Sequence, residues 1–136
     1  MKLIKLSLSI STLALALTGC GGGGGGGGAR TTVLVANDAL EVYPGTCAPV
    51  EGPYQLPAGA SIDFTVTDVD NYDIMDVGVI DDAYGCNFGQ AYGAVFGTNS
   101  VRSGDDNLAD GYYDFVVRCN NAVYPCQFQV HWTATY

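Results

Sequence analysis

The chain has 136 residues, 48% of them hydrophobic and 14% charged, with 14 acids against 5 bases and a formal net charge of −9. That length suits one domain, which excludes a multidomain enzyme and a polytopic membrane protein. The hydrophobic fraction excludes a disordered chain, and the only long glycine run, Gly21 to Gly28, has no collagen period.

Lys2 and Lys5 give a short basic start, and residues 6–19 are apolar and small. A span needs about 20 such residues, so residues 1–19 read as a secretory signal peptide rather than a membrane helix. Leu17-Thr18-Gly19-Cys20 resembles the lipobox of bacterial lipoproteins. The resemblance implies a diacylglyceryl group on the Cys20 sulfur, cleavage before it, and acylation of the new amine. Two or more acyl chains hold a protein stably to a membrane. Gly rather than Asp at position 21 implies the outer membrane by the sorting rule of such lipoproteins. Surface and periplasmic faces stay open. Residues 20–29 then form a lipidated cysteine and a Gly-rich flexible tether reaching ~17 Å. Residues 30–136 form the domain.

Cleavage removes Lys2 and Lys5, so −9 becomes −11 and only Arg30, Arg102 and Arg118 remain as bases. A domain of that charge repels nucleic acid and anionic lipid, so no nucleic-acid partner is expected. The acids are mostly Asp, a residue of turns and loops.

No helical period occurs in residues 30–136, and alternation dominates. Thr31 to Ala36 is a candidate strand. Turn signals follow at Pro44-Gly45, Glu51-Gly52-Pro53 and Pro57-Ala58-Gly59. Ser61 to Val69 alternates, with Ile62, Phe64 and Val66 on one face and Asp63, Thr65 and Thr67 on the other. Met75, Val77 and Val79 mark another strand, and Tyr92 to Phe96 another. Ser103-Gly104-Asp105 and Asp110-Gly111 read as turns. Tyr112 to Cys119 carries Tyr113, Phe115, Val117 and Cys119 on one face. Cys126 to Tyr136 carries Cys126, Phe128, Val130, Trp132, Ala134 and Tyr136 on one face, with Gln127, Gln129, His131, Thr133 and Thr135 opposite. Short strands at this spacing predict an all-β fold, a small antiparallel β-sandwich or jelly roll.

Four cysteines remain beyond Cys20, and an exported setting favours two disulfides. Three pairings are open. Cys119 and Cys126 flank a hairpin-like NNAVYP and both fall on apolar faces, which favours that bridge and leaves Cys47 with Cys86. Zinc is disfavoured by the spacing and by the single His.

The order Tyr54-Gln-Leu-Pro-Ala-Gly-Ala-Ser-Ile-Asp-Phe64, Tyr72-Asp-Ile-Met-Asp-Val-Gly-Val79 and Leu108-Ala-Asp-Gly-Tyr-Tyr-Asp-Phe-Val-Val117 resembles the bacterial pre-peptidase C-terminal domain and related jelly rolls. The resemblance covers about residues 50–136. It implies a β-sandwich and a calcium site. The four cysteines and the lack of an attached peptidase depart from the family, so carriage of a secreted enzyme does not transfer.

Catalysis finds little footing. A nucleophile needs a base and an orienting group. His131 falls on the polar face of the last strand, and Ser61, Ser100 and Ser103 lie outside any nucleophile elbow. Asp81-Asp82 and Asp105-Asp106 are adjacent carboxylates, not a facing pair of the kind glycoside hydrolysis needs. Calcium wants six to eight oxygens, so Asp68, Asp70, Asp73 and Asp76 form one candidate site. Asp105, Asp106, Asn107 and Asp110 form a second. Solvated acidic loops explain both clusters as well. No other cofactor is expected. Tyr84, Tyr92, Tyr112 and Tyr124 fall in or near loops, where Tyr serves recognition of protein or glycan.

The sequence therefore favours an outer-membrane-anchored, non-catalytic binding or accessory module, held by its lipid and facing an unidentified protein or glycan partner. The alternative is a structural envelope protein with no specific ligand. A small secreted hydrolase is third.

Overall fold

The computed structural model describes residues 28–136. The signal peptide assigned to 1–19, and Cys20 with most of the 20–29 segment, lie outside the described residues. Eight strands follow in order: β1 (Thr31–Val42), β2 (Cys47–Leu56), β3 (Ser61–Asp68), β4 (Met75–Asp81), β5 (Tyr92–Thr98), β6 (Val101–Asp105), β7 (Gly111–Cys119) and β8 (Cys126–Thr135). Two 3₁₀ turns, Asp82–Tyr84 and Phe88–Gln90, separate β4 from β5.

The strands form two antiparallel sheets of order β1-β8-β3-β6 and β2-β7-β4-β5. Successive strands mostly change sheet, which is the interleaving of a jelly roll. The expected all-β sandwich with two disulfides is the observed fold.

Alternation places the core. Ile62, Phe64 and Val66 of β3 meet Phe115 and Val117 of β7 and Phe128, Val130 and Trp132 of β8 between the sheets, all buried. Phe64 and Phe115 pack edge to face with ring centres 5.0 Å apart, and Trp132 meets Tyr54 at 5.3 Å. The polar row Gln127, Gln129, His131, Thr133 and Thr135 faces outward. Tyr136 follows the end of β8 and is about half exposed, so it does not extend the buried row.

Two strands were hidden by turn residues. β2 runs through Glu51-Gly52-Pro53, with register shifts against β7 on both sides of Glu51. Proline is tolerated there because β2 is a sheet edge. Gly52 has φ +118°, and a Cβ on it would meet Asp114 Oδ1 at 2.6 Å, so only glycine fits. β6 runs through Ser103-Gly104-Asp105, also at an edge. A Cβ on Gly104 would collide with the carbonyl of Ile62 on β3. In both strands glycine marks close backbone approach and not a turn.

The outer face of the second sheet is covered. Residues 82–91 fold back over β4 and β7 as a strap, and Phe88 makes a small second core with Ile80 and Val116. The Cys47–Cys86 disulfide ties the strap to β2. Arg118 lies over the Phe88 ring at 4.8 Å and pairs with Asp76 at 3.4 Å. β4 is therefore buried on both faces, which is why Asp76 is buried with Met75 and Val77.

Candidate functional site

The strand pairing defines two ends. Thr31 pairs with Thr135 at one end, and Val42 pairs with Cys126 at the other. Arg30 N–H donates to Tyr136 O at 2.8 Å, and Tyr136 N–H donates back at 3.1 Å. The segment before β1 therefore enters at the first end. That end also carries the 57–60 turn, the start of the strap and the 106–110 loop.

The far end is built from the 43–46, 69–74, 99–100 and 120–125 connections. Three buried carboxylates fix it, each 7% exposed or less. Asp68 accepts from Asp70 N–H at 3.0 Å and Asp73 N–H at 3.1 Å. Asp73 accepts from Gln127 N–H at 2.7 Å and from Asn121 Nδ2 at 2.6 Å. Asp76 accepts from Gly97 N–H at 2.9 Å and Asn120 Nδ2 at 2.8 Å, besides Arg118. Asn121 Oδ1 in turn accepts from Ile74 N–H at 3.0 Å. The Cys119–Cys126 disulfide closes the base of the 120–125 loop. Loops usually carry the low-stability part of a fold. Here buried hydrogen bonds and a covalent bridge lock them.

What these locked loops and the adjoining end of β5 display is apolar. Tyr72 is 87% exposed, Tyr124 76%, Val123 71%, Phe96 60% and Ile74 51%. Tyr72 and Ile74 sit between two open hollows, one bounded by Phe96 and Gly97 of β5, the other by Val123 and Tyr124. The side chains thus form one continuous surface across the 69–74 and 120–125 connections and the end of β5. Large apolar patches on soluble domains mark places where something packs.

The sequence-assigned sites distribute differently. Asp68, Asp73 and Asp76 come together with Asp70 at the far end, but their oxygens point to the N–H donors just described. Asp105 Oδ2 accepts from Gly93 N–H at 3.1 Å and its Oδ1 from Asp106 N–H at 2.8 Å. Asp106 and Asp110 are exposed on the 106–110 loop. Among the described residues no group of three or more His, Cys, Asp or Glu side chains is arranged to hold a metal ion. Both expected disulfides form, Cys47–Cys86 and Cys119–Cys126. His131 stands mid-strand on the outer face of the first sheet, opposite Ala36 and Thr65. Of the tyrosines singled out, Tyr124 joins the apolar surface. Tyr84 and Tyr112 are exposed elsewhere, and Tyr92 packs on Tyr113 at 5.8 Å.

At the terminus end, Tyr113 donates its hydroxyl to Ala109 O at 2.8 Å. Burial pushes its phenol up to about 12, and the neighbouring Tyr92 adds to this. Burial also raises the Asp114 carboxyl above its ordinary range, with Asp82 adding repulsion.

Sequence reasoning missed Tyr72, Ile74, Phe96 and Val123. Ile74 continues the Met75 strand pattern and Phe96 sits on a predicted strand, so each reads as core. Only the run Ala-Val-Tyr-Pro between two predicted strands signalled apolar residues in a turn.

No protein-family model and no curated protein matches the sequence. Among solved structures, the chain is similar to one in the acid-stable capsid of the Helicobacter pylori bacteriophage KHP30. The two share 15% identity over 79% of this chain and 91% of that one, with a TM-score of 0.45. It is also similar to a chain of the capsid of cyanophage Pam1, at 18% identity over 93% and 96%, with a TM-score of 0.47. These neighbours correct the expectation of an outer-membrane-anchored binding or accessory module. Among the described residues the far end offers a displayed apolar surface with two open hollows.

Proposed function

We propose that the protein is a structural, non-enzymatic component of an envelope or shell, and that it works by packing its far end against neighbouring protein. One observation carries this reading. Tyr72, Ile74, Val123 and Tyr124 on loops, with Phe96 at the end of β5, are held outward on segments that Asp68, Asp73, Asp76 and the Cys119–Cys126 bridge have already ordered. Prior ordering removes much of the entropy cost of association. Exposed tyrosines and phenylalanine supply the contact area that protein interfaces favour.

The test is the double substitution Tyr72→Asp with Tyr124→Asp. Both side chains are exposed, so the variant folds with an unchanged circular dichroism spectrum. It is expected to leave the large sedimenting assembly or envelope fraction that holds the wild type. A variant that sediments with that fraction as the wild type does would refute the reading.

Lipidation at Cys20 is a separate proposal supported by the lipobox resemblance. Radiolabelled palmitate is expected to enter the wild-type chain and not Cys20→Ala. The anchored chain would then hold the acidic end toward the lipid and the apolar end away from it.

A further inference from the structure

We propose that the partner at the apolar end is a different chain that presents arginine beside aliphatic residues, and not a second copy of this one. The inference rests on the structural reading above and names the chemistry of its contact. Tyr72, Phe96 and Tyr124 give exposed aromatic faces. Asp73 lines both hollows beside them, and Asp68 and Asp73 accept only N–H groups of the backbone and of Asn121 among their hydrogen bonds, donors that carry no positive charge. Asp70 is exposed beside Tyr72. The surface is thus apolar, aromatic and anionically backed. Guanidinium is the group that suits all three, since it stacks on aromatic faces, is drawn by the buried negative charge and bonds an exposed carboxylate such as Asp70, and its hydration is weak enough to leave water.

The same charges argue against self-pairing. Two such ends facing each other bring like charges together, which costs association. A head-to-tail pair meets Asp81, Asp82, Asp105, Asp106 and Asp110 at the other end. Of the arginines, Arg102 is committed to Asp63 at 3.0 Å and Arg118 to Asp76. Arg30 stands at that acidic end.

The test uses the purified full chain and three synthetic peptides that alternate leucine with arginine, lysine or glutamate. Binding is read by calorimetry, and the site by amide shifts in the nuclear magnetic resonance spectrum. The arginine peptide is expected to bind, to shift the amides of residues 71–74, 96–97 and 121–124, and to lose about tenfold in affinity with Tyr72→Ala and Tyr124→Ala together. The lysine peptide is expected to bind more weakly and the glutamate peptide not at all. Equal affinity for arginine and lysine peptides, or for wild type and variant, overturns the proposal, since the contact is then general charge attraction. Absence of arginine-peptide binding overturns it too. Sedimentation of the full chain alone is expected to give a monomer. A dimer abolished by Tyr72→Ala and Tyr124→Ala names the second copy as occupant, which overturns this inference while leaving the structural reading intact.

Discussion

The two ends of the sandwich invert the usual relation between charge and exposure. At the end where β1 enters, Asp82, Asp105, Asp106 and Asp110 are exposed on loops and strand ends, and Leu108 and Tyr113 are buried beneath them. At the far end the carboxylates of Asp68, Asp73 and Asp76 are buried, and the aromatic and aliphatic side chains are outside. Exposed acids keep a domain soluble and cost little. Buried acids are expensive unless every oxygen is used, and here each accepts two or more N–H groups. The same residue type is a solubiliser at one end and a fastener at the other.

Measurements of stability press on that contrast. The largest expected loss comes from the strap that runs between the ends. Removing the Cys47–Cys86 bridge, with a sequence separation of 39, as a double alanine variant should cost about 4 kcal/mol in denaturant unfolding. Asp73→Ala follows, at about 3 kcal/mol, because Gln127 N–H and the Asn121 amide lose their acceptor in a buried place. Asp106→Ala and Asp110→Ala should stay within about 0.5 kcal/mol of wild type. Equal costs at the two ends would break the comparison. Tyr113→Phe should cost about 1 kcal/mol for the lost bond to Ala109 O, measured by thermal unfolding.

The smallest effect among the substitutions is at Asp114. Its folded carboxyl binds a proton more tightly than the unfolded one. The fold's preference for the protonated form is therefore present below the ordinary value of 3.8 and lost as pH rises above it. Asp114→Asn should thus raise the melting temperature slightly at neutral pH and match wild type below pH 3.8. Calcium sharpens the contrast further. With the oxygens of Asp68, Asp73 and Asp76 already engaged, EDTA should leave the melting temperature unchanged. A fall reversed by calcium would show that the far-end carboxylates are ligands instead of fasteners.

The sequence disclosed the sandwich because β3, β7 and β8 are half-buried strands with a clean period of two. β8 sits between β1 and β3, and its pattern is the cleanest of all. It hid β2 and β6 because edge strands carry proline, glycine and bulges, which are also turn residues. The Cys119–Cys126 bridge was legible from hairpin spacing and strand faces, and Cys47–Cys86 followed by elimination. The far-end surface was not legible. Whether Tyr72 or Tyr124 points outward depends on where Asp68 and Asp73 aim: Asp68 accepts from the nearby N–H groups of Asp70 and Asp73, while Asp73 reaches Asn121 and Gln127 across about fifty residues of sequence. Local spacing groups these aspartates, but it cannot show that Asp73 takes its donors from the β7–β8 loop and from β8.

The mutual bonds between Arg30 and Tyr136 make the jelly roll nearly a closed ring of chain. A short linker joining residue 136 to residue 30 would produce a circular permutant, and reopening it between β7 and β8 would bring both new termini out beside Tyr124. Any support attached there would hold the molecule upside down, presenting the carboxylate-bearing end and hiding the aromatic one. The closeness of two terminal backbone groups thus makes the orientation of the whole domain a matter of where the chain is cut.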